Sequence, residues 1–318
     1  MNLVNKSKPI ISAVIPAHNE SQGIEVAVKK IAEILTSCVN SAWEIIVVDD
    51  GSSDQTYAKI LALSQNDARI KGIAFSRNFG KENALLAGLD YATGQAIITI
   101  DADLQHPPSF IPEMIDKWRA GAKIVHAVKR SRKHDSIAKK SAAYLINQLI
   151  SGLGGINVKN SSDFKLLDRE IVDIITHQLS EKQRFFRGLT SWIGFDEDYV
   201  YFDVANREGD ESKWSFWALL ELSITALTSF TGFPLHIITF LGFLTLILGF
   251  SVASEAIWSL INHQTVSGYT TIIICLLLIG SFVMISLGII GEYIAKIYDE
   301  VKGRPHYLIK SSVGIHDE

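Results

Sequence analysis

Two stretches of this 318-residue chain carry no Asp, Glu, Lys or Arg: Leu222–Ser254 and Tyr269–Ile290. Each exceeds the roughly 20 residues that cross the hydrocarbon core of a bilayer. A helix in a globular core keeps one polar face for water, so apolar character on every face over this length points to lipid. Mean hydropathy is +0.20 with 47% hydrophobic residues, and the excess lies mostly after Leu222. Gly232 and Pro234 divide the first stretch. Ser215–Phe230 before them reads as an interfacial helix anchored by Trp214 and Trp217. Leu235 to Leu260 reads as the first span, and Tyr269–Ile290, bounded by Glu292, as the second.

The loop Asn262–Gly268 between the spans has no Lys or Arg. Lys213 precedes the apolar region, and Lys296, Lys302, Arg304 and Lys310 follow it. The positive-inside rule then places both long ends in the cytoplasm. The N-terminal MNLVNKSKPII is short, polar and without a signal-peptide h-region, which agrees with a cytoplasmic start. The resulting division is a cytoplasmic domain over 1–213, an interfacial region over 214–232, a two-helix transmembrane hairpin over 233–294 and a cytoplasmic tail over 295–318. A net charge of −4 with no long basic run argues against a nucleic-acid binder. Cys38 and Cys275 fall in unrelated contexts and have no metal-type spacing.

The first two-thirds alternates strand and helix. Strands are expected at Ile10–Ile15, Glu44–Val48, Ile70–Phe75, Ala96–Ile100 and Lys123–Val128. Helices are expected at Gly23–Leu35, from a Ser53 or Asp54 cap through Leu63, and at Lys81–Tyr91. Such alternation predicts an α/β domain with a mostly parallel sheet covered on both faces. Phe164–Leu167 and Asp198–Asp203 are expected to add strands at its edge.

Chemistry gathers where these strands end, the edge at which open α/β sheets bind ligands. Ile97–Pro108, IITIDADLQHPP, runs from a buried strand into Asp101 and Asp103. Two hard oxygen ligands suit Mg²⁺ or Mn²⁺ holding a diphosphate, whereas the alternative is a turn or cap ahead of Pro107-Pro108. Strand one enters Pro16-Ala17-His18-Asn19-Glu20, where Asn19 and Glu20 either hydrogen-bond a nucleoside or cap the next helix. Strand two ends in Asp49-Asp50-Gly51-Ser52-Ser53-Asp54. Asp50 is a candidate acceptor for the ring N–H of a uracil or guanine; a capping loop is the alternative. Strand three leads to Ser76-Arg77-Asn78-Phe79-Gly80-Lys81. Arg77 and Lys81 there suit a diphosphate at a helix N-terminus, against plain surface charge.

Taken together, VIPAHNE, VVDDGSSD and DADLQHPP in this order resemble the inverting glycosyltransferases of family two, over about Ile10–Val204. The resemblance implies the GT-A fold, a Rossmann-like mostly parallel sheet domain, here followed by an interfacial helix and two transmembrane helices. Asn206–Trp214, NREGDESKW, resembles the Arg…Ser-Lys-aromatic signature of the polyprenyl-phosphate glycosyltransferases, with Asp210-Glu211 lengthening it by one residue. The two C-terminal spans resemble the bacterial bactoprenol glucosyltransferase branch. That likeness implies a UDP-glucose donor, with Pro16, Asn19, Glu20, Asp50, Arg77, Lys81 and Asp101 on the donor side. It implies a polyprenyl phosphate acceptor held by Arg207 and Lys213 at headgroup depth, and by Arg130 and Arg132 of the basic stretch Lys129–His134. Gln105 matches the family's metal-site glutamine and joins Asp101 and Asp103 as a ligand of Mg²⁺ or Mn²⁺. Asp163 matches a position assigned as a base, and either serves as one or orients the acceptor.

The expected reaction is attack of the lipid phosphate oxygen on the anomeric carbon, with inversion. Asp103 and Asp163 are the catalytic candidates. Rival readings are a GDP-mannose-dependent mannosyltransferase, a polysaccharide-type transferase and a catalytically silent membrane scaffold. Gln183–Arg187 is only a faint match to the Gln-x-x-Arg-Trp of polymer synthases. Gly280, Gly288 and Gly291 would permit helix packing in a homo-oligomer.

Overall fold

The computed structural model describes residues 11–39, 42–129, 163–179, 181, 186–202, 233–262 and 268–315. The chain divides into two compact units; the second consists chiefly of residues 213–303. The first begins β1 (Ile11–Ala17), α1 (Ile24–Val39), β2 (Trp43–Asp49), α2 (Thr56–Asn66), β3 (Ile70–Phe75), α3 (Lys81–Tyr91) and β4 (Ala96–Thr99). It continues through α4 (Ile111–Arg119), β5 (Ile124–Lys129), β6 (Lys165–Asp168), α5 (Arg169–Asp173), α6 (Phe186–Ile193) and β7 (Glu197–Phe202), and ends with β8 (Ile309–Val313).

The eight strands form one mixed sheet in the order β7-β5-β6-β4-β1-β2-β3-β8. β1 pairs parallel with β2 and β4, and β2 parallel with β3. Strands buried on both faces need no polar alternation, and β1 and β2 are buried throughout. Ala13, Ile15, Ile45 and Val47 face one layer, where α1 contributes Val28 and Ile31 and α4 contributes Met114. Val14, Ile46 and Val48 face the other, against Leu85 and Leu89 of α3 and Ile171 of α5. Each Val, Leu, Ile or Met among them contributes about 1.5–3 kcal/mol on burial. α3 lies close on β1 because Gly88 has no side chain: a Cβ there would sit 2.1 Å from Val14 Cγ1.

Two expectations need correction. β6 is not at an edge but inserts between β4 and β5, antiparallel to both; the edge position belongs to β7, parallel to β5. The expected tail contains a strand: β8 pairs antiparallel with β3 and closes the opposite edge.

The second unit contains α7 (Phe233–Ile261) and α8 (Tyr269–Val301). Within Leu235–Ser259 and Ile272–Val301 the most apolar 18-residue stretches have mean hydropathies of 2.2 and 2.8 and are unburied by protein. Both are long and apolar enough to cross a membrane. The expected interfacial helix over 215–230 lies outside the described residues.

Candidate active site

Parallel strands β1, β2, β3 and β4 deliver their C-terminal ends to one edge, so four short loops converge there. They line a cleft of about 340 Å³. Pro16, Glu20, Asp50, Lys81, Asp101 and Asp103 all line it, and His18 and Asn78 complete its polar wall. The strand-end reading thus brings together six of the expected site residues. An apolar cleft between α7 and α8, lined by Val252, Ile272, Cys275, Leu276 and Ile279, has no polar chemistry to offer.

The loops are cross-linked. Asn19 takes a left-handed backbone, φ 56°, and its side-chain oxygen accepts from Ser53 N at 2.9 Å. Asp49 accepts from Ser52 N and from the Ser52 hydroxyl, which in turn accepts from Asn19 N. Asp54 accepts from Thr56 N and Ser21 N. The Thr56 hydroxyl and these N–H groups hold its carboxyl well below the usual range. Asp49 and Asp54 therefore do the turn and capping work, and Asn19 helps them. Asp50 acts differently, since its two oxygens accept from Phe79 N at 2.7 Å and Gly80 N at 2.9 Å. It ties the β2 end to the β3–α3 loop. Burial pushes its pKa up, against the pull of those two N–H groups. Gly51 (φ 65°) makes this closeness possible, since a Cβ would lie 2.3 Å from the Arg77 carbonyl carbon.

His18 Nδ1 lies 2.9 Å from Asp50 O, and Asn78 Nδ2 lies 3.3 Å from His18 Nε2. These two side chains, absent from the expected site, sit in the same strand-end motifs and were findable there. Arg77 is exposed, with its guanidinium 4.3 Å from the Phe79 ring centroid.

Lys81, expected at a diphosphate, bridges two carboxylates: Asp101 Oδ1 at 2.6 Å and Asp163 Oδ2 at 2.9 Å. Loss of hydration disfavours its charge, but Asp163 and Asp101 outweigh that and raise its pKa. Asp163 is also fixed through its backbone, whose oxygen accepts from the Thr99 hydroxyl at 2.6 Å. Glu20 has a raised pKa through burial and then through the negative charge of Asp103, Asp54 and Asp101. That edge has excess negative charge and suits a cation.

Asp103 Oδ1 accepts from Gln105 N at 3.0 Å, and Leu104 between them has φ 55°. A branched residue in this region stores strain, which tends to persist where function requires it. The Gln105 side chain is exposed and is not part of the cleft wall. Among the described residues no three His, Cys, Asp or Glu side chains form a metal cage. Mg²⁺ typically takes one or two carboxylates and completes its shell with water and substrate phosphates, so Asp101 and Asp103 fit such an ion. Arg130, Arg132, Arg207 and Lys213 lie outside the described residues.

Behind the site lie a half-buried acid and a buried lysine that sequence reasoning missed. Glu82 accepts from Phe186 N at 3.1 Å, at the start of α6. Burial, with some help from Asp163, pushes its pKa up to about 7. Lys165, fully buried, donates to Thr190 Oγ1 at 3.0 Å and lies 4.8 Å over the Phe186 ring. In the sequence Glu82 reads as an ordinary first-turn acid complementing the helix dipole.

Residues 12–177 match the family model for glycosyl transferase family 2. The chain is 40% identical over 307 residues to an uncharacterized glycosyltransferase of Synechocystis sp., covering 96% of each. It is 38% identical over 304 residues to the SfII prophage-derived bactoprenol glucosyl transferase of Shigella flexneri, covering 95% of this chain and 98% of the other. Among solved structures, glucosyl-3-phosphoglycerate synthase from Mycobacterium tuberculosis in complex with UDP aligns with a TM-score of 0.48. It is 22% identical, over 69% of this chain and 79% of that one.

Proposed function

The chain belongs to glycosyl transferase family 2, and on that footing we propose that it transfers glucose from UDP-glucose to a polyprenyl phosphate at the cytoplasmic face of a membrane. The observation that carries this reading is the near full-length likeness to a bactoprenol glucosyl transferase in a chain whose strand ends gather Asp50, Lys81, Asp101 and Asp103 around one cleft. Two helices able to cross a membrane suit a lipid-borne acceptor.

In this reading the uridine lies against His18, Asp50 and Asn78, and the diphosphate points toward Asp101 and Asp103. These two would hold a divalent cation, Mg²⁺ or Mn²⁺, which when bound supplies positive charge for the departing diphosphate. A phosphate oxygen of the acceptor attacks the anomeric carbon from the face opposite the diphosphate. A carbon–oxygen bond to the lipid phosphate forms as the bond to the diphosphate breaks, so the anomeric centre inverts. The nucleophile is already anionic at neutral pH. Asp163, held by Lys81, accordingly orients the incoming group rather than removing a proton. Arg207 and Lys213, with Arg130 and Arg132, are proposed to neutralise the acceptor phosphate.

Calorimetry with UDP and GDP, each with and without Mg²⁺, tests the donor assignment. The reading expects UDP to bind in the presence of Mg²⁺ and Asp101→Ala to abolish the metal-dependent part. Preference for GDP would replace glucose with another sugar donor.

A further inference from the structure

The segment that follows α8 reaches the donor loop. β8 runs antiparallel to β3 from Gly72↔Val313 to Phe75↔Ile309, with an irregularity between Ala74 and Phe75. Past that point Ser76 N donates to Leu308 O at 2.9 Å. The Tyr307 ring stacks on Phe75, centroids 5.0 Å apart and planes 14° apart. Its hydroxyl donates to Asp90 Oδ2 at 2.8 Å, so the ring is fixed between the end of β3 and α3.

Phe75 passes this contact on. Its ring meets Phe79 edge to face at 5.7 Å, and Phe79 carries Arg77 over its own face. Phe79 N and Gly80 N are the two donors that hold Asp50. The ring contacts are therefore continuous from Tyr307 to the loop that contributes Asn78, Gly80 and Lys81 to the cleft. Asp50 and the Asn83 side chain, whose Nδ2 donates to Phe79 O at 2.7 Å, also hold the loop at Phe79 and Gly80. Ser76, Arg77 and Asn78 are exposed, and Gly80 has φ 96°. A loop that is not held in advance must be ordered when ligand arrives, and that lost entropy is subtracted from affinity.

We propose that Tyr307, carried just ahead of β8, is a positioning residue for the donor cleft: by stacking on Phe75 it fixes Phe79 and the 76–80 loop in the conformation that takes the nucleoside diphosphate. Donor affinity thereby depends on the segment beyond the second apolar helix. This deepens the proposed function and rests on its assignment of the cleft to the donor.

The test uses the full-length chain in detergent, with UDP and GDP binding by calorimetry in Mg²⁺ and transfer kinetics beside it. Loss of one aromatic stack should weaken UDP binding and raise the donor KM in Tyr307→Ala by roughly three- to tenfold, leaving kcat within about twofold. Tyr307→Phe keeps the stack and should stay near the parent. Val313→Ala loosens the far end of β8, beside Gly72, and should lower the melting temperature without changing the donor KM. If Tyr307→Ala does not fold, Tyr307→Leu, which keeps volume but no ring stack, carries the same expectation. Parent-like UDP affinity in Tyr307→Ala or Tyr307→Leu would overturn the inference. So would Val313→Ala raising the donor KM as much as the Tyr307 change does, because the effect would then be general loosening of the edge. A parent chain that binds neither UDP nor GDP would remove the donor assignment itself, and the inference with it.

Discussion

Lys81 and Glu82 are neighbours in the first turn of α3 with opposite roles. Lys81 bridges Asp101 and Asp163 at the cleft, while Glu82 turns inward to the start of α6. A carboxyl whose pKa rises to about 7 on folding holds its proton longer in the native state than in the unfolded chain. Its contribution to stability is fully present below the unfolded value of 4.5, and is lost as pH rises through about 7. Melting temperatures of the parent should therefore fall across that window. Glu82→Gln keeps an acceptor for Phe186 N but cannot ionise, so its melting temperature should fall less across the same range. Equal pH slopes for the two proteins would contradict the raised pKa of Glu82. Asp163 gives a second prediction at this scale. A general base contributes about 10²–10⁴ in rate. If Asp163 only orients an acceptor that is already anionic, Asp163→Asn should lower kcat by less than about 100-fold, with a flat pH profile near neutrality. A larger loss, together with disappearance of an acidic limb, would restore the base.

At the scale of elements, the site is a set of interlocked strand-end loops. The most demanding contact is Gly51 against the Arg77 backbone. Gly51→Ala adds a Cβ with nowhere to go at a left-handed φ, and should destabilise the domain by about 1–3 kcal/mol. Because Asp50 would be pulled from Phe79 and Gly80, the donor KM should rise as well. Thermal melting with donor kinetics checks both effects, and a variant with parent-like values in each would refute the interlock. Much of this edge is legible in the sequence because β1, β2 and β4 are apolar runs that stop abruptly at polar residues, and parallel strands must release those residues on one side. Separating ligand groups from scaffold groups is not legible in the same way. Asp49, Asp50 and Asp54 look alike on the chain, and only the backbone N–H groups they meet tell them apart. β6 and β8 escape for different reasons. KLLD is four residues long, and whether it inserts or adds at an edge depends on partners distant in sequence. IKSSV is half polar because one side of an edge strand meets water, so it reads as tail.

At the scale of the whole molecule, the sequence carries two solvents in one chain. The first unit buries alternating faces of a sheet under helices, and the second presents apolar side chains outward along two long helices. Charge-free length makes the second unit legible without any structure, and the β/α alternation makes the first legible in class. Tyr307 and Glu82 are not legible, because each acts through a partner more than 100 residues away. The proposed role of the cleft is to present a sugar nucleotide to a lipid phosphate. The most direct test offers the purified full-length chain Mg²⁺ and polyprenyl phosphate, with radiolabelled UDP-glucose and GDP-mannose in parallel reactions, and follows label into the organic phase. The account predicts lipid-borne label from UDP-glucose that disappears in Asp103→Ala. Label that stays wholly in the aqueous phase with both donors, although UDP binds, would contradict it.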